Sequence, residues 1–128
     1  MKPYYLTIKD PKEYLKHYLD IYTGDYNKAR AHKIVSLFPG LEDKKILDVG
    51  CGGGYYSLIA LKKGATEVAL VDMSHVCIKA AKINFQENAS YFHGDGIVAD
   101  ATNLPFKNGY FESLDNSAIG IYCLTAMY

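Results

Sequence analysis

KKILDVGCGGGYYSLIALKKG, residues Lys44 to Gly64, sets four glycines within five positions between a short apolar run and a helical pattern. Glycine loses more backbone freedom on folding than any other residue, so the cluster needs a reason. Ile46-Leu47-Asp48-Val49 reads as a short buried strand, Gly50 to Gly54 as a loop, and Tyr55 to Lys63 as a helix closed by Gly64. A glycine loop between strand and helix lets the chain turn tightly and lets bare backbone approach a ligand. The free N–H groups at the helix start then favour a negative group.

The same alternation continues outward. Val68 to Val71 is a second buried strand, and Ser74 caps a helix with Val76, Ala80 and Ile83 on its inward stripe. Ile97-Val98-Ala99 is a third strand, and Tyr110 to Leu114 starts a fourth. On the N-terminal side, Asp10-Pro11-Lys12-Glu13 holds a capping residue, a proline suited to the first helical position, and an acid three residues after the cap. The helix that follows carries Tyr14, Tyr18 and Tyr22 on one stripe, with Leu15 and Leu19 beside it, until Thr23-Gly24-Asp25 ends it. A second helix, Asn27 to Phe38, turns Ala31, Ile34, Val35 and Phe38 inward and Arg30 and Lys33 away, and Pro39-Gly40 stops it. Apolar strands alternating with helices predict an α/β fold, a parallel sheet with helices on both faces.

Glycine spacing narrows the ligand. A dinucleotide fingerprint, G-x-G-x-x-G, would need glycine where this chain has Tyr55, which disfavours a nicotinamide-dependent oxidoreductase. A phosphate-binding P-loop would end in Gly-Lys-Ser/Thr, and this loop does not. What fits is Asp48-x-Gly50-x-Gly52-x-Gly54, an acid followed by glycines of period two. Here the chain resembles the class I S-adenosylmethionine-dependent methyltransferases, of the type 11-like kind. The matching stretches are LDVGCGGGYYS (Leu47 to Ser57), ALVDMS (Ala69 to Ser74) and ADATNLPFKNGYFES (Ala99 to Ser113), in that order.

The resemblance implies a Rossmann-like sheet over 44–128 behind an N-terminal helical segment, 1–43, and S-adenosylmethionine as cofactor. On that reading the backbone of Gly50, Cys51 and Gly52 borders the methionyl group, Gly54 completes the turn, and Asp48 attracts the ammonium. Asp72, closing the second strand, accepts from both ribose hydroxyls, and Met73 lies against the adenine. Asp100 accepts from the adenine amino group while the Ala101 N–H donates to the ring. The tyrosine helix packs on the domain, and in this family such a helix often covers the cofactor, which offers one tyrosine as a contact. Methyl transfer rests mostly on alignment, so no general base is assigned.

Departures from the pattern shape the remaining expectations. Glu112 stands where the family usually has Asp, and LDNSAIGIYCLTAMY (Leu114 to Tyr128) suggests no later helix or strand pair. Against a family sheet of seven strands the fold is expected to be incomplete, as a truncated, split or frame-shifted member would be. Such a chain would bind cofactor more readily than it turns over, and its apolar edge would favour self-association or a partner completing the sheet. A binding or regulatory remnant without catalysis is the alternative. The acceptor is unidentified, with a small molecule favoured. Asp115-Asn116-Ser117 replaces the Asn-Pro-Pro-Tyr motif of nucleobase amino methylation, which speaks against those acceptors.

Composition agrees. The 128 residues make one domain, 49% hydrophobic, and 14 basic groups balance 14 acidic ones, so overall charge draws the chain to neither nucleic acid nor anionic membrane. Cys51, Cys77 and Cys123 lack metal-ligand spacing and read as reduced thiols of a cytoplasmic protein. His75 and His93 have no partner at ligand spacing and read as surface residues. The N-terminus shows no signal peptide, and Ser117 to Tyr128 is too short to cross a bilayer as a helix.

Overall fold

The computed structural model describes residues 7–38, 40–89, 94–99 and 118–122. In chain order the elements are α1 (Pro11–Tyr22), α2 (Asp25–Ser36), β1 (Lys45–Val49), α3 (Tyr55–Lys62), β2 (Glu67–Asp72), α4 (His75–Asn88), β3 (Gly94–Val98) and β4 (Ala118–Tyr122). Local chemistry accounts for several boundaries. Asp10 caps α1 by accepting the Glu13 N–H at 2.9 Å, with Pro11 at the first helical position. Ser74 caps α4 by accepting the Cys77 N–H at 3.3 Å. Helix α2 runs two residues earlier than its pattern suggests, because Gly24 in extended backbone both follows α1 and caps α2.

The four strands form one parallel sheet in the order β3-β2-β1-β4. Lys45 pairs with Glu67 of β2 on one side and with Ala118 of β4 on the other. Strands β1, β2 and β3 step in one direction, and β4 returns to the far side of β1. That reversal opens a crevice at the carboxyl end of β1, where ligands of open α/β sheets bind.

The two faces of the sheet carry separate cores. Ile46, Val68 and Leu70 meet all four helices in the larger cluster, with Tyr18, Val35, Ala60 and Phe85 at its centre. Burying a valine, leucine, isoleucine or phenylalanine side chain of this kind contributes about 1.5–3 kcal/mol. Leu47, Val49, Ala69 and Val71 line the opposite face and are buried there, with Ala99 against them. Among the described residues, no helix is long and apolar enough to cross a membrane.

Three strand and helix expectations need adjustment. Strand β3 begins at Gly94, three residues before Ile97, and Ala99 lies just beyond its end. A fourth strand does exist in the stretch read as featureless: Ala118–Tyr122 pairs along the whole of β1. The expected strand at Tyr110 to Leu114 lies outside the described residues. In α4 the buried side chains are Cys77, Ile78, Ala80, Ala81, Asn84 and Phe85, so the inward stripe sits one position past Val76 and Ile83.

Candidate cofactor site

The period-two glycines have a backbone reason. Gly50, Gly52 and Gly54 all take left-handed φ values, 74°, 54° and 77°, whereas Cys51 and Gly53 between them do not. A side chain at any of the three would strain the turn. The turn is anchored to β2, because both Gly50 N–H and Cys51 N–H donate to the Val71 carbonyl, at 2.7 and 3.0 Å.

Gly53 is glycine for a different reason. A Cβ there would lie 2.4 Å from the ring of Tyr18, so only bare backbone fits under α1. The Tyr18 hydroxyl then accepts the N–H of Tyr55, the first residue of α3, at 3.1 Å. Tyr18 is 1% exposed and stacks between Tyr14 and Tyr22, with centroids 5.9 and 4.3 Å away. Tyr22 in turn meets Tyr56 edge-on. The tyrosine stripe thus seats α1 on the glycine loop as well as on the core. From the other flank, Asn84 of α4 donates its amide to the Gly53 carbonyl at 2.9 Å.

Asp72 ends β2 beside the loop. Its Oδ2 accepts the Gly52 N–H at 3.0 Å and its Oδ1 accepts the Ser74 N–H at 2.9 Å. A carboxylate has about four lone-pair sites. Two backbone bonds therefore fix its orientation and leave capacity for further donors. Met73 beside it is 72% exposed, and Val98, paired with Asp72 in the sheet register, is 38% exposed. An oriented carboxylate flanked by uncovered apolar side chains suits a group that is polar on one edge and flat and apolar on the other.

Asp48 sits deeper, 1% exposed, with Oδ2 accepting the Ser57 hydroxyl at 2.6 Å. Among the described residues its Oδ1 has no partner. Burial pushes this carboxyl from 3.8 up to about 7, the Ser57 bond opposes the rise, and the charge of Asp72 adds to it. Burial also pushes the Cys77 thiol up, against hydrogen bonds from Tyr14 and Ser74. Cys51, 2% exposed, spends its thiol on the Gly52 carbonyl at 3.5 Å. Neither cysteine has the exposed, electropositive setting of a nucleophile.

The structure therefore gathers Asp48, Gly50, Cys51, Gly52, Gly54, Asp72 and Met73 around one strand-end crevice, and His75 is exposed on the surface. Asp100 and Ala101 lie outside the described residues, as does His93. No group of three His, Cys, Asp or Glu side chains among the described residues could hold a metal. Tyr18 and Asn84 hold the loop and were not singled out as loop contacts. The tyrosine stripe was visible as a pattern, and a single Asn beside the apolar stripe of α4 was the one sequence signal for the other.

The arrangement fits the expected cofactor on its own terms. The orphaned Asp48 Oδ1 offers an acceptor for a cationic amine, and Asp72 offers one for hydroxyls. Comparison with known proteins points the same way. A family model described as a methyltransferase domain matches residues 46–118, more than half of the chain. The ribosomal protein L11 methyltransferase of Acetivibrio thermocellus is 50% identical over 44 residues, 34% of this chain and 14% of that protein. The ubiquinone biosynthesis O-methyltransferase of Nitrosomonas europaea is 35% identical over 77 residues, 60% of this chain and 32% of that protein. The chain spans less than a third of the length of the curated relatives it matches. In fold it is similar to a protein of Methanococcus maripaludis assigned as an S-adenosyl-L-methionine-dependent methyltransferase. That likeness has a TM-score of 0.66 at 19% identity and covers 100% of this chain and 54% of the other. The chain belongs to the class I S-adenosylmethionine-dependent methyltransferase family.

Proposed function

We propose that this chain binds S-adenosylmethionine at the carboxyl ends of β1 and β2 and serves methyl transfer to a small-molecule acceptor. The observation that carries the reading is Asp72, a carboxylate oriented by the Gly52 and Ser74 N–H groups beside the exposed Met73. Asp72 would hold the ribose hydroxyls and Met73 the adenine face. Asp100 and Ala101 would hold the adenine edge. The turn at Gly50 to Gly54 would border the methionyl chain, with Asp48 Oδ1 toward its ammonium. The chemistry supplied by the bound group is a methyl activated on a sulfonium. What the protein adds is orientation, exclusion of water and any deprotonation the acceptor needs, and no residue is assigned to that last role.

The small-molecule preference draws support from the longer match to the ubiquinone-pathway relative, 77 residues against 44 for the L11 relative. A protein acceptor is the second reading, favoured by the higher identity of that shorter match.

Titration calorimetry with S-adenosylmethionine, its demethylated product and a nicotinamide dinucleotide tests the assignment. Binding of the first two and not the third is expected. Tighter binding of the dinucleotide would overturn it.

A further inference from the structure

A cleft of about 560 Å³ opens between the four helices behind the glycine loop, on the helix-covered side of the sheet. This is within the size range of small-molecule sites, roughly 300–1,000 Å³. Its floor is apolar, formed by Leu58 and Ile59 of α3 with Leu19 of α1. Its rim is basic: Lys28 and His32 come from α2, and Lys62 and Lys63 from the end of α3. Among the described residues, no Asp or Glu lines it.

Helix electrostatics explains only part of that rim. Lys62 and Lys63 suit the negative end of α3, but Lys28 stands in the first turn of α2, where the helix dipole disfavours a cation. Cations gathered from two helices around an apolar floor repel one another, and an anion with an apolar body relieves the repulsion while covering the floor.

A polar relay leads from this cleft to the loop. Asn88, on the cleft wall, donates to Asn84 Oδ1 at 2.8 Å. Asn84 is fully buried and donates to the Gly53 carbonyl at 2.9 Å. Tyr55 also lines the cleft, and it is the residue on which the loop becomes α3. A ligand that displaces Asn88 or the Tyr55 ring therefore acts directly on the glycine turn.

We infer that this cleft is a second binding site, for a small molecule with an apolar body ending in an oxyanion, and that its occupancy is coupled to the glycine loop through Asn88, Asn84 and Tyr55. The site lies behind the crevice assigned to the cofactor and does not depend on what that crevice binds. If the crevice does bind cofactor, linkage requires each ligand to change the other's affinity by the same factor.

The test follows backbone amide shifts of the full chain, without cofactor, as octanoate, octyl phosphate, octanol and octylammonium are added. Octanoate or octyl phosphate should move the Leu58, Ile59, Gly53 and Tyr55 amides, and whichever binds tighter identifies the head group. Octylammonium should bind weaker by roughly tenfold. The paired change Lys62→Gln and Lys63→Gln should weaken octanoate similarly, and Lys28→Gln provides an independent check should that pair destabilise α3. Asn88→Ala should preserve binding at Leu58 and Ile59 while shrinking the response at Gly53. Equal binding of octanol or octylammonium would overturn the oxyanion assignment. A Gly53 response unchanged by Asn88→Ala would overturn the relay through Asn88 and Asn84, and no response at Gly53 or Tyr55 in the parent chain would overturn the coupling as a whole.

Discussion

The hydroxyl of Tyr18 accepts the backbone N–H of Tyr55 at 3.1 Å, so a side chain of α1 caps the first turn of α3 across 37 residues of sequence. The first N–H groups of a helix have no partner within it. Tyr18→Phe keeps the ring and removes this acceptor, leaving a buried donor unsatisfied. It should cost about 1–3 kcal/mol in urea unfolding. A variant as stable as the parent would mean that the bond contributes nothing.

Gly53→Ala should destabilise by about 1–3 kcal/mol, since its Cβ would enter the space of the Tyr18 ring. Backbone strain is not the cause, because Gly53 is not among the left-handed glycines. In a Tyr18→Leu background most of that cost should vanish, giving a coupling energy of about 1 kcal/mol or more. Strict additivity of the two substitutions would argue against direct packing of α1 on the loop.

Asp72→Ala should weaken S-adenosylmethionine binding by about 1.5–3 kcal/mol, the cost of leaving hydroxyl donors without a charged acceptor. His75→Ala, on the exposed side of the same turn, should change it little. Calorimetry on both variants compares them directly, and equal losses would remove Asp72 from the ribose.

Stability should fall with rising pH on account of Asp48. Its carboxyl titrates near 3.8 when unfolded and at about 7 when folded, so between those values the folded chain holds a proton that the unfolded chain has released. The destabilisation grows across that window, reaches on the order of a few kcal/mol, and levels off above it. Asp48→Asn removes the effect, so its denaturation midpoint should depend less on pH than the parent's. Parallel pH profiles for the two proteins would count against a buried, proton-holding Asp48.

These substitutions also mark what could be read from sequence. Strands β1 and β2 were legible because each is apolar on both faces, and α1 and α4 because Asp10 and Ser74 announce their starts. The glycine turn was legible because a left-handed backbone leaves a residue-level trace, and Asp72 because it closes an apolar run. Strand β3 was placed late because Gly94 and Gly96 look like loop residues. Strand β4 was missed because all its pairing is to β1, far back in the sequence. The contacts of Tyr18 and Asn84 with the loop span 37 and 31 residues, and no local pattern encodes such distances.

The position of β4 also governs what happens during synthesis. Strand β1 gains β2 about 20 residues after it is made, but its other edge waits for a partner about 70 residues further along. At roughly 5–20 residues per second on the ribosome, that edge is left open for several seconds. Throughout that interval a row of unpaired N–H and C=O groups is available to neighbouring nascent chains. Synonymous codons that slow translation between Ala99 and Ala118 would lengthen the exposure, so the yield of soluble protein should respond to changes that leave every amino acid in place.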